Sequence, residues 1–127
     1  MHRKVKSTEK SLLPIVLILV LMAGIAWGLS EEEWFHKGYQ ASEAGNLDEA
    51  IRCYKKAIAI DPNYAPAYNN LGGIYGNKGM LDDAIVEYNK AIDIDPDYTL
   101  AHNNLARAHR QKGLKDTGGV NVQPFCK

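Results

Sequence analysis

The chain has 127 residues, room for one small domain or a short repeat array, and its 15 basic and 15 acidic side chains cancel to a formal net charge of zero. The balance is uneven: Arg3, Lys4, Lys6 and Lys10 all precede Leu12, where Glu9 is the only acid, so the remainder is mildly acidic. Phosphate binding needs a basic stripe with counterions to release, so no nucleic-acid partner is expected.

Residues 1–11 form a basic N-terminus. Residues 12–29 then read LLPIVLILVLMAGIAWGL without a charge, which as a helix would extend about 27 Å and cross a bilayer. Pro14 falls in the first turn of that helix, where its missing N–H costs little. Trp27 stands where an interfacial aromatic would stand, and the basic residues ahead place the N-terminus in the cytoplasm. The rest of the chain is then expected outside, periplasmic or extracellular. A cleaved secretory signal is the competing reading, because Gly24 and Ala26 have the spacing of a cleavage site. Either reading exports the same domain.

After the apolar run, Ser30-Glu31-Glu32-Glu33 has the form of a capping box and predicts a helix start at Glu31. A phrase then occurs twice, 34 residues apart. Gly45-Asn46-Leu47-Asp48-Glu49-Ala50-Ile51, leading to Ile60-Asp61-Pro62-Asn63-Tyr64, returns as Gly79-Met80-Leu81-Asp82-Asp83-Ala84-Ile85, leading to Ile94-Asp95-Pro96-Asp97-Tyr98. A fixed period of this length signals stacked repeats. The units are 31–64 and 65–98, followed by a partial third over 99–116 and a tail, 117–127, expected to be disordered.

Within each unit the apolar and small residues recur at three and four positions, so two helices are predicted, each with one packing face. Gly38, Gly72, Ala50 and Ala84 permit close approach, and Tyr54 and Tyr88 fill the space that remains. Gly45 and Gly79 are expected to end the first helices in the left-handed conformation. Asp61-Pro62 and Asp95-Pro96 end the second, because a residue before proline avoids the helical region. The third unit keeps Gly113 and Asp116 of the turn phrase and then departs from it at Thr117 and Gly118.

The pattern Trp34, Lys37, Gly38, Ala41, Ala50, Tyr54, Ala57, Pro62, repeated as Tyr68, Leu71, Gly72, Tyr75, Ala84, Tyr88, Ala91, Pro96, resembles the tetratricopeptide repeat (TPR) motif. The resemblance covers residues 31–116. It implies an all-α helical-hairpin solenoid of two full repeats plus a closing helix, here preceded by one transmembrane helix. It also implies a concave groove, lined by the first helices, that holds a protein or peptide ligand. Carried onto this chain, the groove would present Phe35 and Tyr39 from the first unit and Asn69, Asn70 and Asn77 from the second. The third would supply Asn103, Asn104, Arg107 and Arg110. An asparagine amide donates and accepts at once, so Asn70 and Asn104 suit a ligand backbone, and the two arginines suit a carboxylate. One TPR subtype grips a terminal carboxylate through Lys and Asn in the first unit, Asn in the second, and Lys and Arg in the third. Only the Asn70 position fits it, since Phe35, Tyr39, Leu100 and Asn104 stand at the others.

No catalytic site, metal or cofactor is expected. His102 and His109 share a helical face but occupy the positions of Tyr68 and Tyr75 one repeat earlier, which reads as substituted packing. Asp93-Ile94-Asp95-Pro96-Asp97 imitates the start of a calcium loop, but Tyr98 and Asn104 replace the glycine and glutamate that such a loop needs. Cys53 and Cys126 form no paired ligand motif, and whether they bridge is open. The expected function is therefore that of a membrane-anchored adaptor, not an enzyme. Two alternatives are a homo-oligomer assembling through the uncovered last helix around Leu105, and a secreted TPR module released by signal cleavage.

Overall fold

The computed structural model describes residues 14–15 and 28–117. The repeat-bearing part contains five helices: α1 (Glu31–Glu43), α2 (Leu47–Ile60), α3 (Ala65–Asn77), α4 (Leu81–Ile94) and α5 (Thr99–Asp116). Among the described residues no helix is long and apolar enough to cross a membrane. The expected span over 12–29 lies almost wholly outside them, as does the tail from residue 118.

Each helix packs on the next, and α3 also touches α1 and α5. This is the connectivity of stacked hairpins, in which one hairpin covers the apolar face its neighbour cannot bury alone. The turns behave as the glycine pattern predicts. Gly45 and Gly79 have φ of 78° and 77°, and each closes a Schellman motif that satisfies the last carbonyls of its helix. The Asn46 N–H donates to Ala41 O at 2.8 Å and Gly45 N–H to Ser42 O at 3.0 Å; Met80 to Tyr75 and Gly79 to Gly76 repeat the pair at 2.9 and 3.0 Å.

The second helices end on extended Asp61 and Asp95, whose carboxylates accept the N–H of Asn63 and Asp97 at 2.9 and 3.1 Å. Proline fixes the break and the aspartate satisfies the backbone beyond it.

Inside the hairpins the small residues set the helix spacing. A methyl group added at Gly38 would stand 2.8 Å from two ring carbons of Tyr54; at Gly72 it would stand 2.8 Å from Tyr88 and 3.1 Å from the Ala84 carbonyl. Ala50, Ala57, Ala84 and Ala91 have no exposed surface, and Tyr54 and Tyr88 are buried beside them. The core is a series of small clusters strung along the array. One joins Tyr54 and Ala50 to Leu71 and Ile74, and another joins Tyr88 and Ala84 to Ala108.

The repeat extends to polar contacts that its sequence does not announce. Lys78 Nζ donates to Asp48 at 2.6 Å, and 34 residues later Lys112 donates to Asp82 at 2.5 Å. Each pair ties a first helix to the second helix of the preceding unit. Tyr68 donates its hydroxyl to Pro62 O at 3.0 Å, and the His102 Nε2 lies 2.8 Å from Pro96 O. His102 thus takes over the contact of the tyrosine it replaces.

The third copy is a single long helix. Helix α5 runs through Gly113 to Asp116, and Gly113 does not share the positive φ of Gly45 and Gly79. The glycine-aspartate phrase makes no turn there, because a turn forms when a following helix packs back on the first. Among the described residues none does. Leu105 reaches the Tyr88 cluster, while Ala106, His109 and Arg110 face outward.

Candidate functional site

The first helices α1, α3 and α5 place the predicted groove residues side by side, and two adjoining concavities form there. One, of about 230 Å3, is bounded by Tyr39, Ser42, Tyr54, Asn69, Asn70, Gly73, Ile74, Asn77, Leu100 and Asn104. The second, about 200 Å3, shares Gly73, Asn77 and Asn104 with it and continues past Gly76, Tyr88 and Arg107 to Ala108 and Gln111. Together they make a channel across the array, floored by the glycine-rich face of α3.

A directed chain of hydrogen bonds runs beneath it. Arg107 donates to Asn104 Oδ1 at 3.0 Å, Asn104 to Asn69 Oδ1 at 2.9 Å, Asn69 to Asn70 Oδ1 at 3.3 Å, and Asn70 to the Tyr54 hydroxyl at 3.4 Å. Three helices are joined by one relay of amides. Asn69 is 3 % exposed, so this relay is what satisfies it, and a buried amide without partners would cost stability. Asn69 is therefore a packing residue at the base of the groove. Asn70 and Asn104 are half-buried, and each keeps hydrogen-bonding capacity beyond the relay bonds.

The remaining predicted residues fall into separate environments. Phe35 turns inward, stacking edge-on against Tyr64 at 5.4 Å and tilted against Tyr54 at 5.6 Å. Tyr39 projects into the channel and is 51 % exposed, as is Leu100 across from it. Asn77 lines both concavities. Asn103 is exposed and borders neither. Arg107 lines the channel, but Arg110 lies outside it in a shallow depression with Gly113, Leu114 and Thr117.

Two residues that the sequence reading used only for packing also reach the channel. Burial pushes up the pKa of the Tyr54 and Tyr88 hydroxyls. A hydrogen bond from Asn70 partly offsets this at Tyr54, and the charge and hydrogen bond of Arg107 do so at Tyr88. Both phenols stay neutral near pH 7 and offer an O–H at the channel floor. Their place in the repeat motif identifies them as packing residues, and nothing in the one-dimensional pattern shows that the ring ends at a cavity.

Elsewhere, Trp34 lies under two ammonium groups, Lys56 at 4.0 Å and Lys37 at 5.3 Å, a contact that ties α1 to α2. Cys53 is buried, its thiol 3.6 Å from Glu49 Oε1, and burial raises its pKa. It is shielded and protonated, unlike a reactive thiolate. Its pairing with Cys126 falls outside the described residues. Among these, no three His, Cys, Asp or Glu side chains gather as a metal site.

The TPR repeat family model matches residues 38–79 and 74–113. A protein O-mannosyl-transferase of Mus musculus is 44% identical over 43 residues, 34% of this chain and 5% of its own. A TPR repeat-containing protein of Methanocaldococcus jannaschii is 44% identical over 34 residues, 27% of this chain and 10% of its own. The chain thus spans a small part of these curated relatives. Among solved structures, MamA superimposes with a TM-score of 0.65 at 34% identity, over 68% of this chain and 51% of that one. The second TPR of Spaghetti, solved with an HSP90 peptide, does so with a TM-score of 0.64 at 24% identity, over 65% and 77%. With its repeats, turns and hairpin packing matching in both sequence and structure, the chain belongs to the tetratricopeptide-repeat family.

Proposed function

We propose that the protein is a membrane-anchored adaptor that binds a segment of another protein in the channel formed by α1, α3 and α5. The observation that carries this reading is the channel itself. Its walls combine exposed apolar groups, Tyr39 and Leu100, with half-buried amides at Asn70 and Asn104. Apolar anchors with a few convergent polar groups suit a ligand that must be both desolvated and oriented. No nucleophile, base and orienter converge in the channel, which favours binding over catalysis.

Anchoring is supported by the uncharged run 12–29 and the four basic residues before Leu12. By the positive-inside rule the repeats lie outside the cytoplasmic membrane. Crosslinking and affinity capture of the full chain, compared with the double variant Tyr39→Ala and Leu100→Ala, tests the groove. Both side chains are half-exposed, so truncation should spare the fold and remove the captured partner. Undiminished capture by a folded double variant would refute the groove reading. Extraction with alkaline carbonate tests the anchor, which predicts retention in the membrane pellet. Protease added outside spheroplasts should digest the repeats if the orientation is right.

A further inference from the structure

The three repeats differ at two first-helix positions of the motif that the resemblance places toward the groove. The first unit carries Tyr39 and Ser42 there, and the third carries Arg107 and Arg110. The second carries Gly73 and Gly76. Both glycines face the buried Tyr88 hydroxyl: a methyl group would stand 3.9 Å from that oxygen at Gly73 and 3.8 Å at Gly76. There is room for an alanine at either, so helix packing does not require glycine here as it does at Gly72. Their effect is to leave a notch in the channel, with side chains on either flank and backbone at its base.

Among the described residues lining the channel, Arg107 is the only charged side chain. It stands at the edge of the notch beside Tyr88, and its hydrogen bonds to Asn104 and to the Tyr88 hydroxyl occupy only part of its five-donor fork. No carboxylate lies among the lining residues to neutralise it. A fixed cation over a roomy floor, with a neutral phenol O–H at its base, has the chemistry to receive an anion bidentately.

We infer that the notch between Gly73, Gly76 and Arg107 receives a carboxylate of the bound peptide, seated against the Arg107 guanidinium and the Tyr88 hydroxyl. The inference rests on the groove reading and adds what the groove selects. The carboxylate is either an acidic side chain or a free chain terminus, since both present the same planar oxygens. Its position differs from the clamp of the carboxylate-gripping TPR subtype, whose third-unit positions hold Leu100 and Asn104 here. Arg110 lies outside the channel and takes no part.

An array of random short peptides, each in free-acid and C-terminally amidated form, tests the inference with the full chain held in lipid nanodiscs. Bound peptides should share a carboxylate at one position. Arg107→Gln should weaken those peptides roughly 10-fold to 100-fold, the loss expected for a charge-assisted hydrogen-bonded contact. Arg107→Lys, which keeps the charge without the planar fork, should fall between them, and Arg110→Gln should match the unaltered chain. Loss of binding on amidation assigns the carboxylate to the terminus; dependence on Asp or Glu assigns it to a side chain. Peptides bound without carboxylate preference, or with one that survives in Arg107→Gln, would overturn the inference and leave the groove reading standing. Failure to bind any peptide would refute both.

Discussion

Adjacent glycines on α3 should respond to the same substitution with opposite signs. In a helix interior, alanine is favoured over glycine by roughly 0.5–1 kcal/mol, because the glycine chain loses more freedom on folding. At Gly73 the new methyl group would meet only the Tyr88 hydroxyl, at 3.9 Å, so Gly73→Ala should realise that gain. At Gly72 it would stand 2.8 and 2.9 Å from two Tyr88 ring carbons and 3.1 Å from the Ala84 carbonyl. The ring is enclosed and the carbonyl belongs to α4, so neither can swing aside. Overpacking of this kind costs about 1–3 kcal/mol, so against the propensity gain the net effect is a loss of up to about 2.5 kcal/mol. Urea unfolding of the repeat unit from Glu31 onward, followed by far-ultraviolet circular dichroism, should show midpoints on opposite sides of the unaltered chain. In Tm each kcal/mol corresponds to roughly 4–8 °C for a domain of this size. If Gly72→Ala proved as stable as the unaltered chain, the close approach of α3 to Tyr88 would not set the hairpin spacing.

Asn69→Ala should destabilise the array by about 1–3 kcal/mol, since it strands the Asn104 amide that now donates to Asn69; an unfolding midpoint unchanged from the unaltered chain would deny the relay a structural role. Gly79→Ala, at φ of 77°, should cost about 1 kcal/mol or more, whereas Gly113→Ala, inside α5, should gain about 0.5–1 kcal/mol. Parallel urea titrations distinguish a true turn from its helical copy. The hydrogen bond and charge of Lys78 hold the Asp48 carboxyl below the usual carboxylate range. A folded pKa below the unfolded one means that any stabilisation from this pair is present above the unfolded pKa and lost as pH falls through the folded one. An NMR titration should therefore show Asp48 ionising at unusually low pH and returning to the ordinary range in Lys78→Met. The same titration curve in both would mean the pair does not persist in solution.

The sequence alone determined the helices, turns and stacking order, because those depend on contacts local in the chain or repeated at a fixed interval. Glycine at Gly45 and Gly79, proline after Asp61 and Asp95, and small residues opposite Tyr54 and Tyr88 each have one conformational use, so their spacing is readable in one dimension. The third copy is expected as a closing helix over 99–116. Gly113-Leu114-Lys115-Asp116 has the residues of a turn, yet helix α5 continues through it, and among the described residues no helix packs back to hold a turn there.

The site depended most on tertiary structure. Repeat position placed Phe35, Asn69, Asn70 and Arg107 together on the inner side, yet depth divides them: Phe35 is taken into the core and Asn69 into the relay, while Arg107 remains open to the channel. Arg107 and Arg110, equivalent as charges in the sequence, part company because Arg110 is offset by about 60° around α5, on the side away from Asn104, Ala108 and Gln111, which line the channel, and so falls beside Gly113, Leu114 and Thr117. The notch itself is a comparison between repeats, visible as Tyr39, Gly73 and Arg107 in the chain, but its depth depends on where α4 sets the Tyr88 hydroxyl beneath α3. Periodicity specifies which residues face inward; only the packing of one helix on another decides which of them a ligand can reach.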